Sequence, residues 1–210
     1  MKKSFLRPFF IFVALLSVIY VRAYDFSEAN EDGITIYYNI VSEKNKTCEV
    51  AIPQNLSGWS STMTLTHYEG DIRIPSSANG YEVVQIGKQA FMCCRNVTSV
   101  TMPNTVVYIR DYTFEYCTGL TSVTFSNSLK YIGSSSFSGC TALASLELPN
   151  SIIQIGSNAF ENCKGITSLT IPNSVTTIGY SAFSNCIGLT TVTIPKSVTN
   201  IGANPFPSCI

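Results

Sequence analysis

The chain has 210 residues, with thirteen Lys and Arg against thirteen Asp and Glu, so its formal net charge is zero. Charged residues are only 12% of it, about half of the ~25% usual in globular domains, which leaves no electrostatic footprint for nucleic acid or an anionic membrane surface. The low charge is not disorder, because 45% of the residues are hydrophobic and polarity is carried instead by Ser, Thr and Asn.

The first segment, residues 1–23, has Lys2, Lys3 and Arg7 ahead of an apolar run from Phe9 to Val21 and closes on Val21-Arg22-Ala23. This pattern predicts a secretory signal peptide. The run is shorter than the ~20 apolar residues a membrane span needs, so a mature chain from Tyr24 is expected to be exported, secreted or displayed at the cell surface, with no span of its own. Residues 24–69 come next. Gly33–Tyr38, Thr47–Ile52 and Met63–His67 alternate apolar and polar residues, which predicts strands of a small antiparallel β cap. Trp59 and the single histidine, His67, are assigned to that cap as packing and surface residues.

From residue 70 the chain is periodic. Phe recurs at Phe91, Phe114, Phe137, Phe160, Phe183 and Phe206; Cys follows three residues later each time, and Ile precedes by five. The period is 23 residues, and such self-similarity marks a stacked array. An imperfect first unit spans residues 70–82, with Asn79-Gly80 predicting a tight hairpin turn. Five full units span 83–197, and a truncated last unit spans 198–210. In each unit a segment such as Leu189–Ile194 alternates inward and outward and ends at a proline (Pro195), which predicts a short strand. Successive strands are parallel, because successive units run with the same polarity. The Ile-Gly and Ala-Phe-x-x-Cys stretch on the return side is too brief for a long helix and is expected to form one α or 3₁₀ turn.

Leu-x-x-Val-x-Ile with proline after the strand, then Ile-Gly, Ala-Phe and Cys, resembles the BspA-like leucine-rich repeat family of bacterial and protist surface proteins. The resemblance runs from Val83 to Cys209. It weakens where Arg110 replaces the Gly of Ile-Gly, where Ser126 replaces the Pro, and at Thr113 and Ser136, which replace the Ala. If the replaced Gly needs a positive φ, Arg110 is strained. The implied fold is an α/β repeat solenoid, right-handed, with short parallel strands on the concave face, helical or 3₁₀ turns on the return side and the antiparallel cap. The implied role is surface display and adhesion, with a protein or glycan ligand on a host or neighbouring cell. A structural surface component that self-associates through an uncapped C-terminal edge is the alternative.

No nucleophile elbow, phosphate loop or zinc-protease motif occurs. Asp111, Glu115, Glu147 and Glu161 read as lying at unrelated positions of the unit, so no acid/base pair is expected; neither an enzyme nor a cofactor is indicated. The six period cysteines read as buried, reduced thiols forming a wall, with Cys48 and Cys93, which are off the period, as the exceptions that could pair. Asn45-Lys46-Thr47, Asn55-Leu56-Ser57 and Asn96-Val97-Thr98 match the glycosylation sequon, relevant only in a eukaryotic source. The candidate binding face is the pair of outward columns Ser99, Ser122, Ser145, Ser168, Thr191 and Thr101, Thr124, Glu147, Thr170, Thr193. Threonine is also simply a good exposed strand residue, but a file of hydroxyls at ~4.8 Å spacing suits an extended polymer.

Overall fold

The computed structural model describes residues 24–53 and 68–209. The expected signal peptide (residues 1–23), Trp59, His67, the strand expected over Met63–His67 and the sequon at Asn55 lie outside the described residues. The strands are, in order, β1 (Phe26–Ala29), β2 (Thr35–Ser42), β3 (Thr47–Val50), β4 (Gly70–Arg73), β5 (Ser77–Ala78), β6 (Tyr81–Ile86), β7 (Val97–Thr101) and β8 (Tyr108–Ile109). They continue as β9 (Ser122–Thr124), β10 (Tyr131–Ile132), β11 (Gln154–Ile155), β12 (Ser168–Thr170), β13 (Thr177–Ile178), β14 (Thr191–Thr193) and β15 (Asn200–Ile201).

These strands wind a β-solenoid of about six turns around one core. Phe91, Phe114, Phe137, Phe160 and Phe183 are fully buried. Their rings stack rung on rung at centroid distances of 5.0–5.3 Å, with Phe206 continuing the file. Tyr68 lies one period upstream of Phe91 and extends the stack at 4.6 Å, so the file begins before the first recognisable repeat. The cysteine column stands beside it. Each thiol from Cys117 to Cys209 donates to the carbonyl of the Phe 26 residues earlier, at 3.0–3.2 Å. All eight cysteines are unbridged. Burial pushes Cys117, Cys140 and Cys163 well above the ordinary thiol value and Cys186 up to about 12.

The expected parallel ladder is present. β4, β7 and β9 pair in parallel, as do β12 and β14, with Ser99 opposite Ser122 and Thr170 opposite Thr193. The strands are shorter than the sequence predicts, Thr191–Thr193 rather than Leu189–Ile194. Asn79 and Gly80 both adopt positive φ between β5 and β6, giving the expected hairpin. Upstream, β1, β2 and β3 pair antiparallel, and β3 joins the array by pairing in parallel with β6.

The return side corrects the sequence reading, since no helix occurs among the described residues. Its Ile is instead on a second parallel ladder, β6-β8-β10-β11-β13-β15. The Ala-Phe-x-x-Cys stretch is a run of turns whose amides alternate in destination. Met92 and Cys94 donate back to Gln89 and Phe91, while Gln89, Phe91 and Cys93 donate forward to Asp111, Thr113 and Glu115 of the next unit. The alternation is set by left-handed residues two before and two after each Phe, such as Tyr112 (φ 59°) and Tyr116 (φ 59°). A helix would consume all its amides internally; here half of them tie one rung to the next.

The glycine of Ile-Gly is also explained differently. None of Gly87, Gly133, Gly156, Gly179 and Gly202 has positive φ, and neither does Arg110. A Cβ on any of these glycines would fall 2.3–2.6 Å from backbone atoms of the preceding rung or, at Gly87, of β3. Close approach, not backbone conformation, is what a side chain would meet at these glycines. Arg110 therefore carries no left-handed strain.

Candidate functional site

The two hydroxyl columns stand where the alternation places them. All ten residues are exposed except Ser99, which is half-buried. The columns start one rung earlier than the sequence indicates, with Asp71 opposite Ser99 and Arg73 opposite Thr101. The Asp71 carboxylate accepts from Ser99 and Thr98, both at 2.7 Å, and these bonds hold it below the usual carboxylate range. Ser99 is thus already engaged, and Arg73 pairs with Glu31 at 3.3 Å.

The file is not continuous. Ser145 and Glu147 belong to no strand, so the ladder breaks between β9 and β12. The rungs also differ one residue before Ser145. Thr121 and Thr190 each donate their hydroxyl to the Thr carbonyl one rung earlier, at 2.9 and 3.2 Å. Ala144 holds that position here and has no hydroxyl; its amide reaches Thr121 O at a long 3.4 Å. A cleft of about 320 Å³ opens at the break, lined by Ser145, Glu147, Asn150, Ser168 and Thr170 among others.

A larger cavity, about 570 Å³, lies on the second ladder, where no binding residue was expected. Glu49, Lys88, Tyr108, Arg110, Asp111, Tyr131, Ser134 and Gln154 contribute to its walls, with Gly133 and Gly156 beside them. Tyr108 and Tyr131 face each other at 4.8 Å and 6°. The Arg110 guanidinium sits 5.5 Å from the Tyr108 ring centre, and Lys88 Nζ 5.7 Å from that of Tyr112. Asp111 accepts the Ser134 amide at 2.8 Å. Burial pushes the Glu49 carboxyl up, opposed by the nearby charge of Arg110 and a hydrogen bond from Asn39. The Thr113 hydroxyl donates to the Arg110 carbonyl at 2.7 Å and so holds that rung's turn. The sequence signal was the replacement of a repeat glycine by Arg110.

The repeat carboxylates need a further correction. Glu115 and Glu161 occupy the same position, directly after Phe114 and Phe160, two rungs apart. At ~4.8 Å per rung they are ~10 Å apart, too far to share a proton. They still interact: burial, and secondarily Glu161, push Glu115 up to about 7. Among the described residues no group of three or more His, Cys, Asp or Glu could hold a metal ion. No helix among them is long and apolar enough to cross a membrane.

A solenoid with a Leu/Val/Ile wall, a stacked aromatic file and parallel rungs defines a leucine-rich repeat protein. The chain belongs to the BspA type leucine-rich repeat region, which matches residues 84–210 in six copies. It is similar to a leucine-rich repeat protein from Bacteroides ovatus of known crystal structure, with 35% identity, a TM-score of 0.69, and 83% of this chain and 43% of that one covered. A leucine rich cell surface protein from Faecalibacterium prausnitzii is 27% identical with a TM-score of 0.66, covering 88% of this chain and 52% of that one. The T. pallidum leucine-rich repeat protein shares the fold at 24% identity and a TM-score of 0.66, with 80% of this chain and 78% of that one covered. The chain thus spans about half the length of the Bacteroides and Faecalibacterium proteins. No curated protein matches it.

Proposed function

We propose that this protein is an exported, non-enzymatic recognition protein that works at the cell surface in adhesion to a protein or glycan. The observation that carries the reading is the pair of solvent-facing hydroxyl columns, held in register by parallel pairing within β7–β9 and within β12–β14. A weakly charged surface with repeated donors and acceptors suits an extended ligand, because most rungs offer a hydroxyl at a fixed interval. The display of one structural neighbour as a cell surface protein supports the location. The apolar segment Phe9–Val21 after Lys2, Lys3 and Arg7 supports export.

A glycan and matrix-protein array probed with the purified protein tests the reading. Binding that is lost on combined Thr124→Ala, Thr170→Ala and Thr193→Ala substitution supports it. Binding that survives those changes places recognition elsewhere. Light scattering that shows large homogeneous assemblies and no array signal replaces it with a self-assembling surface component.

A further inference from the structure

The second ladder carries a departure that the hydroxyl face does not explain. Before each Ile of that ladder stands Gln85, Tyr108, Tyr131, Gln154, Thr177 or Asn200; after it stands Gly87, Arg110, Gly133, Gly156, Gly179 or Gly202. Two adjacent aromatics and one cation are therefore inserted into columns that are otherwise small or polar. A stacked tyrosine pair could serve the sheet alone. An arginine is harder to account for, because at the glycines of this column a Cβ would crowd neighbouring backbone. The two departures converge on the 570 Å³ cavity, whose size lies within the ~300–1,000 Å³ of ligand pockets.

The chemistry of the lining is specific. Tyr108 covers one face of Tyr131, and the rung beyond Tyr131 is that of Gln154 and Gly156. The other face of the Tyr131 ring is thus turned toward the side chain of Gln154, one rung or ~4.8 Å away, an exposed and flexible group that a ring stacking on Tyr131 displaces. Lys88 and Arg110 flank this space, and among the described residues neither is in an ion pair. Glu49, Asp111 and Ser134 add hydrogen-bonding oxygens. An aromatic face has a negative centre that attracts the weakly positive C–H groups along one side of a pyranose ring. The amide and the carboxylates pair with sugar hydroxyls, and a guanidinium engages a carboxylate through two parallel hydrogen bonds.

We propose that this cavity is a saccharide site taking a pyranose unit that bears a carboxylate, with the sugar stacked on Tyr131 and its acid group on Arg110 and Lys88. The inference rests on reading the chain as a recognition protein but not on the hydroxyl face. Isothermal titration of the purified protein with uronate tetrasaccharides of hyaluronan, alginate and galacturonan, against neutral chitotetraose, tests it. The variants are Arg110→Gly and Tyr131→Gln, which restore residues the array uses itself at those positions and so keep the fold, with circular dichroism as the check. At least one uronate is expected to bind and to lose roughly tenfold or more in affinity in either variant, the loss expected of one charge-assisted contact, while Thr170→Ala leaves it unchanged. No heat with any uronate, equal affinity for chitotetraose, or affinity retained in both folded variants overturns the proposal. If the array also shows binding that depends on the threonines, the recognition reading stands without this site.

Discussion

Phe137→Ala tests the physical basis of the array. The Phe137 ring is fully buried, stacks on Phe114 at 5.0 Å and on Phe160 at 5.2 Å, and takes the edge of Phe125 at 5.8 Å. Truncating such a ring costs ~3–5 kcal/mol through lost transfer energy and the cavity left behind. Three ring contacts, each of ~0.5–1.5 kcal/mol beyond burial, place this position at the upper end. In a solenoid that energy is concentrated in nearest-neighbour interfaces, so two adjacent interfaces weaken together. Total stability of ~5–15 kcal/mol makes the loss large enough to separate unfolding of the two halves. Urea denaturation followed by circular dichroism is expected to show a midpoint shift worth ~5 kcal/mol and a broadened or split transition. Phe206→Ala is the comparison, since that ring is only half-buried and stacks on Phe183 alone among the described residues; its cost is expected at ~1.5–2 kcal/mol. A loss below ~2 kcal/mol at Phe137, or equal losses at the two positions, would refute the nearest-neighbour account.

Glu115, pushed up to about 7 in the folded protein from an ordinary 4.5, binds more protons folded than unfolded between those values. Stability therefore falls as pH rises through that window; thermal melts at pH 5 and 8 should show the fall, and Glu115→Gln should flatten it. Native thiol labelling at pH 8 should modify Cys209, which is half-exposed, well before Cys117, Cys140 and Cys163, which react only as fast as the protein opens. Prompt labelling of those three would mean that the wall is not closed. Ala144→Thr supplies a hydroxyl that can reach Thr121 O and should add ~0.5–1 kcal/mol, with slower amide exchange at position 144, whose amide already reaches Thr121 O at 3.4 Å, as the sign that the two rungs are tied more firmly. Ser136→Ala removes a buried hydroxyl that has no partner among the described residues and restores the alanine of other rungs; a gain of ~1 kcal/mol in urea unfolding is expected.

The parts legible in the sequence were those that depend on the period alone. Strict recurrence forces each Phe, Cys and Ile into the same environment as its neighbours 23 residues away, so burial, rung polarity and the outward hydroxyl columns follow from spacing. The hairpin at Asn79-Gly80 was equally visible, because its two positive φ values are a property of those residues themselves. The first rung was half hidden, since Tyr68 holds the Phe position under a different name.

What the tertiary structure decided concerns bonds and distances between rungs. Ala-Phe-x-x-Cys reads locally as a helical turn, but its alternate amides find better partners on the next unit, and left-handed residues aim them there. The Ile-Gly glycine looked conformational and is steric, a fact set by the backbone of another rung or, at Gly87, of β3. The break at Ala144 and the cavity beneath Tyr131 arise in the same way. Each follows from what a residue meets 23 positions away, which a repeat pattern averages out and only the stacked chain restores.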